Sequence, residues 1–431
     1  MRLAFEGLKA NIDVPDHPAF LAALKAAAID WPFHRVETDE EPIARIIARG
    51  TSLVIHHPEE EPVPTTPVAA ACDVMVSLAG ALVTENPHRL CLHGAAALFA
   101  GRLLVFPGHS HAGKSTLTAR LAADGHTIFG DDIVPLDEQG NGVALGVAPR
   151  LRLPLPASAT PAFRDFVMRH AGASDGRYHY LALPEGRLAR KGTTAPIGAI
   201  VLLDRQLQGP AELRAAPRSL ALKLLARQNV SYAEDARPLL AQMSALVQRL
   251  PCYVLAYADL EEAAEQLASA FGRWPAAPQR LPLADPDALS RRLLQHDPLA
   301  EADIEADQDL LCEPYRPGMR LVRNPDVTMH EVEGEAFLAG VDHTAAINNL
   351  NPVALGIWNL MIHPVDEAEA AYVLSGAFPE TDPHVIARDV SALFQSLHDS
   401  RFAIEATDAH PTPSRVSAHS CSAAYPISRI L

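Results

Sequence analysis

The sequence has 431 residues, of which 48% are hydrophobic, and this is enough apolar surface for a globular protein of about two or three domains. Its formal net charge of −16 argues against nucleic acid or an anionic membrane as the main partner, because both are bound by concentrated Lys and Arg. The five cysteines are scattered and include no C-x-x-C pair, so we expect neither a disulfide framework nor a zinc site.

Residues 1–89 are predicted to form a small N-terminal α/β region. A helix is predicted at 19–28, and an acidic, Pro-rich loop at 59–67 precedes a long apolar run at 68–84. That run contains Asp73 and is too short for a membrane span, so it predicts a buried helix. No long apolar segment precedes a small-residue cleavage site at the N-terminus, so we expect no signal peptide, no membrane partner and a cytoplasmic protein.

Two β-like runs within 90–106 predict a hairpin that leads into a phosphate-binding loop. The loop follows the pattern G-x-x-x-x-G-K-[ST], in which glycines let backbone N–H groups surround phosphate. Lys114 would reach the outer phosphates, the Ser115 hydroxyl would hold Mg²⁺, and a helix at 114–123 would add its positive end. The predicted phosphate contacts are Gly108, His109, Ser110, His111, Ala112, Gly113, Lys114, Ser115 and Thr116. His109 and His111 either hydrogen-bond phosphate or face solvent.

Acidic and imidazole side chains flank this loop in the sequence. A short strand within 125–136 carries Asp131 and Asp132, and paired carboxylates beside a phosphate loop suit Mg²⁺ binding and proton transfer. The predicted hairpin also places His93 on a strand beside the loop.

Three motifs stand in order along the chain: His93-Gly94, the loop, and Gly130-Asp131-Asp132. In order and spacing they resemble the catalytic core of the HPr kinase/phosphorylase family, over about residues 90–272. The resemblance implies an ATP-dependent enzyme in which one of the two aspartates takes the proton from a Ser or Thr hydroxyl. We favour Asp131 as that base and assign Asp132 to Mg²⁺ together with Ser115. His93 would then lie against the pair.

The segment 147–154 departs from that family, because no carboxylate stands where the bacterial enzymes have a Glu-containing signature. The departure puts phosphorylase activity and a second acidic metal ligand in doubt. Arg150 and Arg152 occupy one face of a predicted strand instead. They either contact the transferring phosphate or the substrate, or form a solvated pair at a strand edge.

The rest of the predicted catalytic domain alternates strands and helices, as expected for an α/β fold. The predicted elements are helices at 163–171, 218–227, 232–250 and 259–271 and strands at 197–203 and 252–257. Residues 178–180 and 187–191 either line a peptide groove or form ordinary surface. A Pro-rich, acidic linker is predicted at 273–311, with a short helix at 289–294.

Residues 312–406 are predicted to form a second, smaller domain, followed by a disordered tail at 407–431. Three strands, at 327–331, 336–341 and 344–350, precede a helix that begins after Asn351 and two further helices at 366–375 and 383–398. This pattern resembles the PqqD family, a winged-helix-like α+β fold in which a leader peptide adds to the sheet edge as an extra strand. The resemblance implies peptide contacts at Thr344, Ile347 and Leu350.

Together the two resemblances predict an ATP- and Mg²⁺-dependent kinase, similar to those of lasso-peptide systems, that phosphorylates a Ser or Thr of a small ribosomally synthesised precursor peptide. Two alternatives stay open: a small-molecule kinase with a regulatory C-terminal domain, and a non-catalytic peptide chaperone switched by nucleotide. Homo-oligomerisation also stays open.

Overall fold

The computed structural model describes residues 1–49, 52–56, 63–108, 112–156, 158–227, 235–274, 284–294, 314–340 and 347–406. They form a mixed α/β protein with several sheets and, within these ranges, eleven helices. The chain divides into two compact units. Unit 1 comprises Met1–Tyr232 and Ala245–Pro298, and unit 2 comprises Ala233–Ser244 and Leu299–Leu431.

Unit 1 begins with a sheet of six described strands in the order β3-β1-β2-β4-β5-β6 and two helices. Its elements are β1 (Arg2–Phe5), β2 (Asn11–Asp13), α1 (Pro18–Ala27), β3 (Phe33–Val36), β4 (Ala44–Arg49), β5 (Ser52–His56), β6 (Val63–Thr65) and α2 (Pro67–Thr84). Phe5, Phe20 and Trp31 are buried between the sheet and the helices, and the Trp31 indole N–H donates to the Glu6 carbonyl at 2.9 Å. Helix α1 matches the helix predicted at 19–28.

Helix α2 is the predicted buried helix at 68–84. Among the described helices it alone is long and apolar enough to cross a membrane, by length and composition only, and half of that stretch is buried inside the protein. Val74 and Leu78 are fully buried in the same core as Phe20. Leu145 and Tyr180 belong to that core as well, so α2 also packs against later parts of unit 1.

The remainder of unit 1 supplies a central sheet of eight described strands, a small sheet and six further helices. Its elements are β7 (Cys91–Phe99), β8 (Arg102–Pro107), α3 (Lys114–Ala123), β9 (Thr127–Gly130), β10 (Ile133–Pro135), β11 (Asn141–Val143), β12 (Arg150–Arg152), α4 (Pro161–Arg169), β13 (Ala171–Ser174), β14 (Tyr178–Leu181), β15 (Thr194–Arg205), β16 (Glu212–Ala215), α5 (Arg218–Arg227), α6 (Arg237–Arg249), β17 (Cys252–Tyr257), α7 (Leu260–Phe271) and α8 (Pro286–Leu294). The division between the units falls within α6.

The central sheet has the order β10-β7-β8-β15-β17-β16, with β9 and β11 paired to β7 and β15. The predicted hairpin is β7–β8, and Ala100 and Gly101 both have positive φ (44° and 84°), which is the backbone that a tight two-residue hairpin turn requires. Strands β8, β15 and β17 run parallel, so their carboxyl ends share one edge of the sheet.

Helix α3 packs on this sheet and is tied to α7 by a charged cluster. The Arg120 guanidinium donates to the Glu261 carboxylate at 2.6 Å, and the Thr160 hydroxyl donates to the same carboxylate at 2.8 Å. Arg120 is also paired with Asp124 at the end of its own helix, which orients the guanidinium towards Glu261.

Two predictions for unit 1 need correction. The helix predicted at 163–171 ends at Arg169, and Ala171–Ser174 forms β13 of the small sheet β12-β14-β13. Residues His179 and Tyr180 are buried and are therefore not ordinary surface, because β14 lies between β12 and β13.

Part of the segment 273–311 packs onto unit 1. The Trp274 indole N–H donates to the Phe99 carbonyl at 2.7 Å, and α8 carries Arg292, which pairs with the buried Asp204 at 2.8 Å. The short helix predicted at 289–294 begins earlier, at Pro286.

Unit 2 contains the three strands and three helices predicted from its sequence, and one further strand pair. Its elements are β18 (Leu321–Arg323), β19 (Thr328–Val332), β20 (Glu335–Ala339), β21 (Asn348–Leu350), α9 (Pro352–Leu360), α10 (Glu367–Ala377), α11 (Pro383–Asp399) and β22 (Ala403–Glu405). The sheet β19-β20-β21 is antiparallel, and β18 pairs with β22, which the sequence did not predict. Asn351 caps α9 as predicted, accepting from the N–H groups of Val353 and Ala354.

We expect Leu78→Ala in α2 to lower the free energy of unfolding of unit 1 by about 2 to 5 kcal/mol, because Leu78 is fully buried and its loss leaves a cavity. Val76→Ala in the same helix is the control, since Val76 is 61% exposed and its truncation should cost little. Urea denaturation followed by circular dichroism measures both. Equal, small effects would mean that α2 is not a core helix.

Candidate functional site

The central sheet brings the three predicted motifs of unit 1 to one place. In the β7–β8 hairpin Gly94 is opposite Pro107, so His93 lies beside the start of the loop, and in the β10–β7 pair Ile133 is opposite His93. The Gly94 N–H donates to the Asp132 carbonyl at 2.9 Å, which fastens the turn between β9 and β10 to β7. Residues far apart in the sequence therefore meet at the end of β8.

Close backbone contacts explain why two of these motifs contain a glycine. A Cβ on Gly94 would come within 2.7 Å of the Phe106 carbonyl oxygen, and a Cβ on Gly130 would come within 2.7 Å of the Ile133 carbonyl oxygen. Any side chain at either position would push β7 away from β8 or open the turn that carries the two aspartates.

The loop connects β8 to α3, and the structure describes it at Gly108 and from Ala112 onward. Gly113 has a φ of +95° immediately before α3 begins at Lys114, a backbone conformation that favours glycine. The Lys114 ammonium is buried and donates to the Gly108 carbonyl across the loop. Ala112 is buried and Thr116 half-buried, whereas His109, Ser110 and His111 lie outside the described residues, and so do their predicted contacts.

Two residues beside the loop were not predicted from the sequence. The Tyr257 hydroxyl at the end of β17 donates to the Ala112 carbonyl at 3.5 Å, and a side chain on Gly113 would collide with that hydroxyl. The Arg205 side chain at the end of β15 passes about 4.0 Å from the same glycine position. Both residues could have been found from the topology of the sheet. In parallel sheets the ligand lies at the carboxyl ends of the strands, and Arg205 and Tyr257 end the parallel strands β15 and β17 beside β8.

Asp131 is buried at the centre of the site, with 7% of its surface exposed. Its Oδ2 accepts a hydrogen bond from the Arg150 backbone N–H at 2.9 Å, and the Ser115 hydroxyl is a second partner. Burial, followed by the charge of Asp132, raises the pKa of Asp131 to about 6 against these opposing bonds. A carboxylate with that pKa binds a proton more readily than an ordinary aspartate, as a general base must.

Asp132 has the opposite environment, because its side chain is 62% exposed and its Oδ1 lies 3.2 Å from His93 Nε2. Partial desolvation acts to raise the pKa of Asp132, but the hydrogen bond with His93 and the charges of His93, Lys114 and Arg150 outweigh it and lower the pKa to about 2. Two adjacent carboxyls with pKa values moved in opposite directions suit different chemical tasks.

Arg150 and Arg152 lie against the ring of Tyr178, at 4.7 and 6.0 Å from its centre, as expected for residues on one face of a strand. Arg150 is half-buried and its charge reaches both aspartates, whereas Arg152 is exposed. Arg150 is therefore part of the site, and Arg152 lies at its margin.

A cavity of about 340 Å³ opens beside Asp131. Its walls come from α2, from the β9–β10 turn and from the segment that leads into β12. The lining residues are Trp31, Cys72, Met75, Val76, Ala79, Gly80, His93, Ser115, Phe129, Gly130, Asp131, Asp132, Ile133, Leu145, Val147, Ala148, Arg150 and Tyr180. A larger recess of about 690 Å³ is lined in part by Leu188, Ala189 and Arg190 of the segment 187–191, and by none of the predicted catalytic or phosphate-contacting residues.

The predicted Mg²⁺ ligands are compatible with a nucleotide-bound ion. In the described part of the chain no three His, Cys, Asp or Glu side chains form a cluster that could hold a metal by themselves. Ser115 and Asp132 both line the cavity at the loop, and Mg²⁺ is typically held by one or two protein oxygens together with substrate phosphates and water. The donor set fits that arrangement.

No family model matches this sequence, and no curated protein matches it either. Among solved structures, the chain is similar to one described as "TbiB1 in Complex with the TbiA(beta) Leader Peptide", at 17% sequence identity. The match covers 20% of this chain and 99% of that chain, with a TM-score of 0.18. At that identity and TM-score the similarity carries no argument about the fold or activity of this chain.

We expect Asp131→Asn to make the ligand-free protein more stable near pH 7 and above, by up to about 3 kcal/mol, and to change its stability little at pH 4. The pKa of Asp131 is raised from 3.8 in the unfolded chain to about 6 in the folded protein. The protonated Asp131 is compatible with burial below pH 3.8, and this stability is lost as the pH rises through about 6, because the buried carboxyl then becomes charged. The asparagine has no such charge to bury.

Urea denaturation between pH 4 and pH 8, in the presence of a chelator, measures the effect. Asp132→Asn is the matched control and should have the opposite effect. The lowered pKa of Asp132 means that its charge stabilises the folded protein at any pH above the pKa of the unfolded state, so the asparagine should destabilise the protein there. The same pH profile for both variants would contradict the unequal burial of the two carboxyls.

Proposed function

We propose that unit 1 is an ATP-dependent kinase that transfers a phosphoryl group to a hydroxyl, with Asp131 as the base. The observation that carries the proposal is the position of Asp131, which is buried beside Ser115 of the loop and at the same time lines the 340 Å³ cavity. A group placed between a phosphate-binding turn and an open cavity can reach an acceptor hydroxyl on one side and a phosphate on the other.

The other side chains of the site have distinct roles in this proposal. Backbone N–H groups of the loop, the start of α3 and Lys114 hold the phosphates of ATP. Ser115 and Asp132 hold Mg²⁺, which when bound neutralises phosphate charge. His93 keeps Asp132 ionised and oriented, and Arg150 provides positive charge near the transferring group.

The proposed reaction is an in-line displacement. The acceptor hydroxyl gives its proton to an Asp131 carboxylate oxygen as its own oxygen forms a bond to the γ-phosphorus. The bond from that phosphorus to the β–γ bridging oxygen breaks, and ADP leaves with the electron pair. Transfer to water must be slower than transfer to the acceptor for the protein to act as a kinase.

The acceptor in this proposal is a Ser or Thr of a small ribosomally synthesised precursor peptide in the cytoplasm, and unit 2 binds the leader of that peptide. The support is the antiparallel sheet β19-β20-β21, because β21 ends the order of the described strands and an edge strand can pair with an extended peptide. The Leu350 side chain is buried in the core of unit 2, so at that position only the backbone is left for a peptide contact. Ile347 is half-buried, and Thr344 lies outside the described residues.

We expect γ-labelled ATP with Mg²⁺ to label serine or threonine of peptides encoded near this protein. Lys114→Ala should abolish nucleotide binding, because the buried ammonium is the cation that bridges the loop. Asp131→Asn should spare nucleotide affinity and lower the transfer rate by about 10²- to 10⁴-fold. Equilibrium nucleotide binding and single-turnover transfer separate the two effects.

Other results of these experiments would point to a different base or to a different function. Transfer that survives in Asp131→Asn would contradict the base assignment. Label on a small molecule but on no peptide would identify a small-molecule kinase, and nucleotide-dependent peptide binding without any transfer would identify a chaperone.

We expect Ile347→Asp to raise the KM for a leader-bearing peptide about tenfold and to leave the KM for the same peptide without its leader unchanged. The reason is that a charge directly before β21 disfavours an added strand. Tyr372→Asp on α10 is the control, since Tyr372 is 82% exposed and is not part of the sheet. An equal rise for both peptides would argue against leader capture by this edge.

A further inference from the structure

The 340 Å³ cavity has a charged part and an uncharged part. The carboxylates, the guanidinium and the imidazole that line it belong to Asp131, Asp132, Arg150 and His93, and they are clustered, since His93 contacts Asp132 and the Arg150 backbone contacts Asp131. Every other lining residue is uncharged, and most are apolar. The proposed phosphoryl transfer uses the charged cluster and Ser115, and it uses none of the apolar lining residues.

Helix α2 leads from one part to the other. Cys72 accepts from the Tyr180 hydroxyl at 3.3 Å and is a partner of Arg150, so this turn of α2 lies near the charged cluster. Met75, Val76, Ala79 and Gly80 follow along the same wall, and Gly80 is about 12 Å further along the helix axis than Cys72.

The α2 wall is apolar although it is accessible. Val76 is 61% exposed, and Gly80 is exposed with no atom within 4 Å of the position that a Cβ would occupy. Small-molecule sites are typically cavities lined mostly by apolar side chains with a few placed polar groups, and the α2 wall beside the charged cluster has this character. A charged group placed against this wall would lose hydration without gaining a partner.

The volume limits the size of the ligand. About 340 Å³ is near the lower end of the range for small-molecule sites, which is about 300 to 1,000 Å³. The space admits a hydroxyl-bearing residue and one neighbouring side chain, and it does not admit a folded surface.

We propose, resting on the kinase function above, that the acceptor hydroxyl belongs to a residue with an uncharged apolar neighbour, and that this neighbouring side chain lies against Val76 and Gly80 of α2. The cavity thereby selects the acceptor by the residue beside the hydroxyl, whereas Asp131 and the loop perform the transfer.

The test uses the full-length protein and three capped dipeptide amides: acetyl-Leu-Ser, acetyl-Lys-Ser and acetyl-Glu-Ser. Calorimetric titration measures binding, and γ-labelled ATP measures transfer. We expect the leucine peptide to bind at least about tenfold more tightly than either charged peptide, because only its side chain is buried without loss of hydration.

Two substitutions on the wall test its role. Gly80→Phe fills open space and should weaken leucine-peptide binding about tenfold, and Gly80→Ala is the matched control that should keep it. Val76→Lys places a cation on the wall and should shift the preference towards the glutamate peptide. Equilibrium ATP binding by each variant reports whether the loop is intact.

The outcomes separate this inference from the kinase function. Preferential binding of the leucine peptide that is lost in Gly80→Phe, but without transfer to any peptide, would support the cavity and refute the kinase. Equal transfer to all three peptides would support the kinase and overturn the inference. Binding of none of the three peptides, or a preference that neither Gly80→Phe nor Val76→Lys changes, would also overturn it.

Discussion

The close backbone approach at Gly94 is the constraint on which the candidate site depends. Because no side chain separates β7 from the Phe106 carbonyl, the strand that carries His93 lies directly against the strand that leads into the loop. The Gly94 N–H then holds the turn that carries Asp131 and Asp132. Three motifs spread over residues 93–132 are thus positioned by the antiparallel pairings of β7 with β8 and with β10, so the side chains of the site are held by the sheet.

The unequal surroundings of the two aspartates follow from that same turn. Asp131 points inward and accepts from the backbone at the start of β12, while Asp132 points outward towards His93. Neighbouring carboxylates repel each other, so placing one in the interior and one beside an imidazole moves their proton affinities apart. The geometry gives the two carboxyls different pKa values, with that of Asp131 raised and that of Asp132 lowered, a difference that the spacing of the motif alone did not predict.

Local patterns predicted most of the elements and the loop. The hairpin around Gly101, helix α3 and the capped helix after Asn351 have strong signals in adjacent residues, and the structure contains all three. Long-range packing was not predictable in this way. Tyr257 and Arg205 reach the loop only through parallel strand pairing, and Tyr180 is buried because α2 and β14 share a core. The strand pair β18–β22 joins segments some eighty residues apart, with three residues in each strand, too few for a periodic pattern.

The shared core of α2 and β14 means that the N-terminal sheet cannot be an independent module, since Tyr180 and Leu145 are buried among its residues. The residues around the cavity also come from two different parts of unit 1. His93 and the turn that carries the two aspartates belong to the central sheet, whereas the accessible wall of the cavity belongs to α2. If the proposed kinase and its cavity are correct, substitutions on the accessible face of α2 would change which acceptor is bound without moving the two aspartates, so related proteins would differ in substrate before they differ in reaction.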